Sequence, residues 1–258
     1  MPTLSKLQRL SREGVGPSGP KWWTSHEWGE DIVWSSGKPE AAGNAARKGS
    51  RPFLNITKKL PFRSKFKEFT ITDPLQVYEA FDHAETKPEI HTIVVDSLTF
   101  LMEMYESVYV IPSTNTMQAW GNYAQFCKNL MQQYVARSTK NVIFIAHTKS
   151  DINESEMVME TYVPIKGALK GVGLESFFSI VIASKKVPLK TLKDYSNPML
   201  NITPEDEALG FKYVFQTKLT KDTVSERLRG PMGLFENKET YMDNNMQMVL
   251  DRLHQYYN

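Results

Sequence analysis

Cysteine is almost absent from this sequence of 258 residues, since Cys127 is the only one. A single cysteine excludes a disulfide within the chain and a zinc site built from cysteines, which indicates a reducing compartment. The sequence also lacks an apolar run of the roughly 18 residues that a membrane-spanning helix needs, and a signal-peptide core at its start. We therefore expect a cytoplasmic protein with no membrane partner.

The sequence also lacks a clear excess of either charge, because it has 31 basic and 29 acidic residues. The net charge of +2 therefore points to no particular partner. The distribution is uneven, however. Basic residues and turn-forming residues are dense before residue 68, and so are four of the five tryptophans, namely Trp22, Trp23, Trp28 and Trp34. We predict an irregular, basic, Trp-rich N-terminal arm over residues 1–67 and an α/β core over residues 68–258.

Three roles for this arm remain open from the sequence. Tryptophan rings stack on bases without sequence preference while basic side chains follow the backbone, so the arm could bind single-stranded DNA. It could instead dock on a neighbouring subunit. It could also be disordered, although four tryptophans are more than a disordered tract usually carries.

Apolar patterns of two kinds alternate from about residue 68. The runs "HTIVVDSL", "NVIFIAHT" and "SFFSIVIAS" predict strands that are covered on both faces. A long helical pattern around Trp120 separates the first two, as in a βαβ unit. "FKYVFQTKL" and "ERLRGPMGLF" predict a late antiparallel hairpin. We therefore predict an α/β fold with a mainly parallel sheet flanked by helices.

Polar residues follow each of the predicted buried strands. They are Asp96-Ser97, His147-Thr148-Lys149 and Lys185-Lys186. In open α/β sheets, ligands bind outside the carboxyl ends of the strands. The Asp96 carboxylate suits Mg²⁺, held directly or through water, and His147 could respond to a γ-phosphate. The alternative is that these strands end in polar residues only because the following loops are solvated.

Taken in order, these pieces resemble the RecA-like core of the P-loop NTPase superfamily, and particularly the phage-encoded RecA-like ATPases of recombination and single-strand annealing. "TIVVDSLTFL" is similar to a Walker B strand, "NVIFIAHTKSD" to the nucleotide-sensing strand, and "VFQTKLTKDTVSERLRGPMGLF" to the late hairpin. The resemblance covers roughly residues 68–257. It implies ATP and Mg²⁺ as cofactors, a homo-oligomeric ring or filament on single-stranded DNA, and a role in DNA recombination, repair or replication in the host cytoplasm.

The resemblance also implies site residues. Asp96 and His147 would be catalytic, and Asp96 and Ser97 would hold the nucleotide and its Mg²⁺. Lys218 and Lys221 would reach the nucleotide of the neighbouring subunit and place positive charge by the transferred phosphate. The alternative for these lysines is a solvated hairpin tip.

Two loops would face DNA by the same resemblance, at residues 110–116 and 148–170. The DNA-binding candidates in the second loop are Lys149, Tyr162, Lys166 and Lys170. Ammonium groups contact phosphates and a tyrosine ring can stack on a base. Four acidic residues in that loop argue against a purely electrostatic site, and a flexible surface loop is the alternative.

A Walker A motif is not recognisable, which sets the sequence apart from a working P-loop. The nearest segment, "GVGPSGPK" at residues 14–21, has Pro20 at the lysine position. Lys21 arrives one residue late, and Trp22 follows it where a hydroxyl should stand. In "SSGKPE", a proline follows the Gly37-Lys38 pair. The region could be degraded, replaced, or an unusual phosphate cradle. DNA-dependent ATPase activity therefore competes with a non-hydrolysing scaffold, and more weakly with a nuclease, which would need a second acid beside Asp96.

Overall fold

The structure is a computed structural model that describes residues 9–10, 31–35, 51–55 and 66–258, except residues 155, 156 and 172. Side-chain positions are described from residue 69 onward. Several predicted features lie outside the described residues. They are the possible cradle at residues 14–21, the Gly37-Lys38 pair, and Trp22, Trp23 and Trp28. For Trp34, only the backbone is described.

A mixed sheet of nine strands forms the centre of the described fold, and a separate two-stranded hairpin lies beside it. The strands are β1 Arg9–Leu10, β2 Asp31–Ser35, β3 Arg51–Asn55, β4 Phe66–Thr70, β5 Thr92–Asp96, β6 Asn141–Ala146, β7 Lys149–Asn153, β8 Val158–Tyr162, β9 Ile180–Pro188, β10 Phe211–Gln216 and β11 Tyr241–Asp243. In the sheet, the order is β1-β4-β3-β5-β6-β2-β9-β10-β11, and β7 pairs only with β8 to form the hairpin.

Parallel pairing is confined to the four adjacent strands β4, β3, β5 and β6. The pairs β1–β4, β2–β6, β2–β9, β9–β10 and β10–β11 are all antiparallel. The prediction of an α/β fold is confirmed, but the prediction of a mainly parallel sheet is wrong. The parallel pair β5–β6 was visible in the sequence because both strands are covered runs. Strand β3 lies in the arm that was predicted to be irregular, and the direction of β2 has no local signature.

Helices cover the sheet, and one of them contains the predicted helical pattern around Trp120. They are α1 Gln76–Glu85, α2 Leu98–Tyr105, α3 Thr116–Asn129, α4 Leu189–Leu192, α5 Pro204–Leu209 and α6 Met246–Tyr257. Helices α2 and α3 each continue into a π-helical turn, at Glu106–Val110 and Leu130–Val135. Buried apolar side chains form one cluster with α1, α2 and α3 and another with α6, so the central strands are covered on both faces. No described helix has the length and apolar character that a membrane span requires.

The late antiparallel arrangement exists, but its strands differ from the predicted ones. β10 pairs with β9 and with β11, and residues 226–235 form no strand beyond single bridges at Glu226 and Arg229. The predicted hairpin partner is therefore wrong. Residues 31–35 and 51–55 are strands inside the sheet, so the described parts of the predicted N-terminal arm are regular. The division at residue 67 stays a prediction.

Candidate functional site at the carboxyl edge of the parallel strands

Asp96 ends β5 at the carboxyl edge of the parallel strands, as predicted. Its backbone is in register with Asn55 at the end of β3 and with Ile145 near the end of β6. The four preceding residues of β5 are buried, whereas Asp96 itself is half-buried. The peptide bond between Asp96 and Ser97 is cis. The apolar strand therefore delivers one carboxylate to the edge of the sheet where a ligand can reach it.

Ser97 is buried and begins helix α2 immediately after this carboxylate. Its hydroxyl oxygen accepts a hydrogen bond from the Phe100 backbone N–H at 3.3 Å, so Ser97 is the N-cap of α2. This contact satisfies one of the N–H groups that the first turn of a helix leaves unpaired. Ser97 thus has a structural role in the described fold, and its predicted contact with nucleotide stays a prediction.

His147 lies next to this turn, one residue beyond the end of β6. Its backbone N–H donates to the Thr99 hydroxyl at 2.9 Å, and its ring packs edge-to-face on Phe100 with centroids 5.1 Å apart. The end of β6 is thereby joined to the first turn of the helix that follows Asp96. Through this contact, a shift at the end of β5 would move the end of β6, and the reverse also holds. Sequence reasoning assigned no role to Thr99, although it is the third residue after Asp96.

Lys218 and Lys221 lie in the segment after β10, on the far side of the sheet from β5. Four strand spacings of about 4.8 Å each separate β5 from β10, or roughly 19 Å. The Lys218 ammonium group donates to the Asn237 side chain at 2.8 Å, and Lys221 is exposed. Within one chain, these lysines are therefore remote from Asp96. Their predicted action on a neighbouring subunit's nucleotide stays a prediction.

The second predicted DNA-facing loop is largely the ordered hairpin β7–β8. Lys149 and Tyr162 are directly opposite each other, and both contact Asp151, at 3.0 Å from the ammonium group and 2.6 Å from the hydroxyl. The hydrogen bonds from Tyr162 and Lys149 lower the pKa of the Asp151 carboxyl. Lys166 forms an ion pair with Glu106 at 2.7 Å. Three of the four DNA-binding candidates thus already have partners within the chain, while Lys170 is exposed.

Residues 225–227 fasten this hairpin to the main sheet. The Thr161 backbone N–H donates to the Ser225 carbonyl at 3.3 Å, and the Arg227 guanidinium lies over the Tyr162 ring at 5.3 Å. Glu226 forms an ion pair with Lys185 of β9. The segment that carries Lys218 and Lys221 is therefore continuous with the segment that holds the hairpin.

Glu175 completes this attachment from inside the protein. Its carboxylate is buried and accepts a hydrogen bond from the buried Val163 N–H at 2.7 Å, and it lies 3.4 Å from the Arg227 guanidinium. Sequence reasoning missed both Glu175 and Arg227. A carboxylate beside the apolar pair Phe177-Phe178 was the one available sign that Glu175 might be buried and paired.

The carboxyl edge fits Mg²⁺ only in part. No group of three or more His, Cys, Asp or Glu side chains that could hold a metal ion occurs among the described residues. Mg²⁺ is often bound by one or two carboxylates together with substrate phosphates and water, so Asp96 can supply one ligand when phosphate oxygens supply others. The residues present therefore fit a metal that arrives with a nucleotide.

Strand β2 occupies the position between β6 and β9 but runs against both. Asp31 pairs with Ala146 at the carboxyl edge, and Ser35 pairs with Val142 at the other end. The chain thus leaves β2 at Ser35 on the edge opposite Asp96, roughly 10 Å away along the strand.

Comparison with models of known protein families gives a match over the middle of the chain. The family model described as an AAA domain matches residues 45–195, which is more than half of the chain and includes β3 to β9 with Asp96 and His147. Comparisons with curated proteins and with solved structures gave no match.

Proposed function

Because the chain belongs to the AAA-domain family, within the P-loop NTPase superfamily of nucleotide-binding proteins, we propose that it is a RecA-like protein of the phage type. It binds a nucleotide with Mg²⁺ at the carboxyl edge of β5 and β6 and assembles as a homo-oligomer on single-stranded DNA. Its role is in recombination, annealing or replication. The observation that carries this proposal is the placement of Asp96, at the tip of a buried parallel strand beside the end of β6.

Each residue at this edge has a definite part in the proposal. Asp96 holds the metal that accompanies the phosphates. When bound, ATP would supply the phosphoryl group and Mg²⁺ would neutralise its negative charge. His147 follows changes at the helix that begins after Asp96, because its N–H is bonded to Thr99. The DNA contacts come from side chains on or beside the hairpin that follows His147. They are Lys149, Tyr162, Lys166 and Lys170. Lys218 and Lys221 act across the interface between subunits.

A non-hydrolysing scaffold is the second candidate, and the direction of β2 favours it. In P-loop proteins the phosphate loop follows a strand at its carboxyl end and leads into a helix. Here the strand beside β6 is reversed, so the chain leaves it away from Asp96. In that case the protein keeps the shape of the family and works by assembly or DNA contact without turnover of ATP.

Nucleotide binding of the purified full chain separates the two candidates. We would titrate a fluorescent ATP analogue with and without Mg²⁺ and single-stranded DNA, and measure phosphate release in parallel. The first proposal expects saturable, Mg²⁺-dependent binding that Asp96→Ala weakens about tenfold or more. Asp194→Ala is the matched control, since Asp194 is exposed in the turn at Lys193–Tyr195.

The outcomes are distinct. Binding that is equal in wild type and Asp96→Ala removes the role assigned to Asp96. An absence of binding at millimolar nucleotide, with DNA binding retained, leaves the scaffold. Binding without phosphate release gives a nucleotide-dependent assembly protein that does not hydrolyse ATP.

A further inference from the structure

A cavity of about 160 Å³ opens where the π-helical turn after α2 faces the first turns of α3. The rings of Tyr105 and Tyr109 form one wall, and the side-chain amides of Asn115, Gln118 and Asn122 form another. An engineered protein cavity of about 150 Å³ accommodates benzene, so this volume suits one six-membered ring. None of the described side chains that line the cavity is charged, which favours a neutral ligand over a phosphate or a metal ion.

The amides offer a matched pair of hydrogen-bonding groups. The Gln118 side-chain N–H donates to the Asn122 side-chain oxygen at 3.1 Å, which holds the two amides side by side. This bond uses one donor and one acceptor. The Gln118 oxygen and the Asn122 NH₂ group remain for a ligand, as an acceptor next to a donor. Asparagine and glutamine amides read the edges of nucleobases with such a pair of groups.

The tyrosine rings are held in place and stay neutral. Tyr105 stacks on Phe126 with centroids 4.5 Å apart, and Tyr109 lies 5.0 Å from Tyr105. The Tyr109 hydroxyl donates to the Asp73 carboxylate at 2.7 Å. Burial and this bond raise the pKa of Tyr109 to about 12, so the phenol is not ionised at neutral pH. Rigid tyrosine rings are suited to packing against a base.

We propose that this cavity binds a pyrimidine base, either as a free nucleoside or as one base of a single strand. The volume of the cavity matches one pyrimidine ring more closely than the two fused rings of a purine. The tyrosines supply aromatic contact, and the amide pair bonds the polar edge of the base. The strand form rests on the proposed function, because the cavity borders the predicted DNA-facing segment at residues 110–116. The nucleoside form does not depend on it.

Binding of the full chain to uridine, cytidine, thymidine and adenosine would be measured by calorimetry, and binding to dT and dA oligonucleotides in parallel. Side-chain amide signals in ¹⁵N-correlated NMR spectra would locate the contact. We expect pyrimidine nucleosides to bind more tightly than adenosine and to shift the signals of Gln118 and Asn122. Gln118→Ala should weaken pyrimidine binding about fivefold or more, since a good bidentate contact gives at least that discrimination.

Gln132→Ala is the matched control, because Gln132 is exposed on the turn after α3 and does not line the cavity. Both glutamines are exposed, so circular dichroism should show folded variants. Asp96→Ala should leave pyrimidine nucleoside binding unchanged, which separates this site from the nucleotide site.

Several results would overturn the proposal. One is no nucleoside binding at millimolar concentration together with no preference for dT over dA. Another is binding that Gln118→Ala leaves unchanged. Nucleoside binding without a dT preference supports a site for free nucleosides and removes only the strand form. If the wild-type chain binds pyrimidine nucleosides but shows no Mg²⁺-dependent nucleotide binding, only the proposed function is contradicted.

Discussion

Glu175→Ala should lower the free energy of unfolding by about 2–3 kcal/mol. The substitution removes the acceptor of the buried Val163 N–H, a charge-assisted bond of 2.7 Å. A buried donor left without a partner costs about 1–3 kcal/mol, and bonds to charged groups lie at the upper end of that range. The Arg227 contact at 3.4 Å adds little, because the Arg227 side chain is 38% exposed.

Urea denaturation followed by circular dichroism measures this change. For a chain of this size, 1 kcal/mol corresponds to roughly 2–4 °C in Tm, so the variant should melt roughly 4–12 °C lower. Hydrogen exchange should also accelerate at Val163 and in β8, since Glu175 anchors the residue that follows that strand. Glu175→Gln keeps an acceptor for the N–H and should recover at least half of the loss.

Glu103→Ala is the control, because it removes a carboxylate that is exposed on α2. It should change stability by about 0.5 kcal/mol or less. The reasoning fails if Glu175→Ala and Glu103→Ala are equally stable. If Glu175→Gln is as damaging as Glu175→Ala, the negative charge matters and the acceptor does not.

Two further predictions concern pH and backbone conformation. Burial alone would raise the pKa of Glu85, but hydrogen bonds from two neighbouring hydroxyl groups and a backbone N–H hold it below its usual value. A depressed folded pKa stabilises the protein above the unfolded value of about 4.3 and ceases to do so as the pH falls through the folded pKa. The stability difference between wild type and Glu85→Gln, from urea titrations at pH 3–7, should therefore be constant above about pH 5 and shrink below about pH 4. A difference that does not vary with pH would refute this. Gly173→Ala should cost about 1–3 kcal/mol, because φ is +74°, a conformation that L side chains rarely adopt. Gly171→Ala, which has open space, is its control in the same denaturation assay, and equal stabilities would show that the Gly173 backbone relaxes freely.

Several elements of the fold could be predicted because their signals are local. The runs at residues 92–96 and 141–146 consist of consecutive apolar residues of strand type, and only a strand covered on both faces buries all of them. The stripes around Ala124 and Val249 repeat with the helical period, so α3 and α6 were expected where they lie. The placement of Asp96 at the end of β5 follows directly from the first of these runs.

The missed elements depend on residues far apart in the sequence. Residues 226–235 were predicted as a strand, yet they contain Gly230, Pro231 and Gly233, which weaken a strand. Strand β10 pairs instead with Tyr241–Asp243, a partner that depends on packing on the whole sheet. The hairpin β7–β8 contains enough acids and small residues to resemble a flexible loop. Its order comes from Arg227 and Ser225, more than 60 residues later.

The sequence by itself determined the α/β class, the buried parallel strands and the carboxylate at the end of one of them, since periodicity and apolar runs act within a few neighbouring residues. Only the tertiary structure decided the direction of β2, the partner of β10, the burial of Glu175 against Val163 and the cavity beside Tyr109. Each of these features brings together segments that are far apart in the sequence. Their contact depends on how the rest of the chain packs, which a local sequence pattern does not specify.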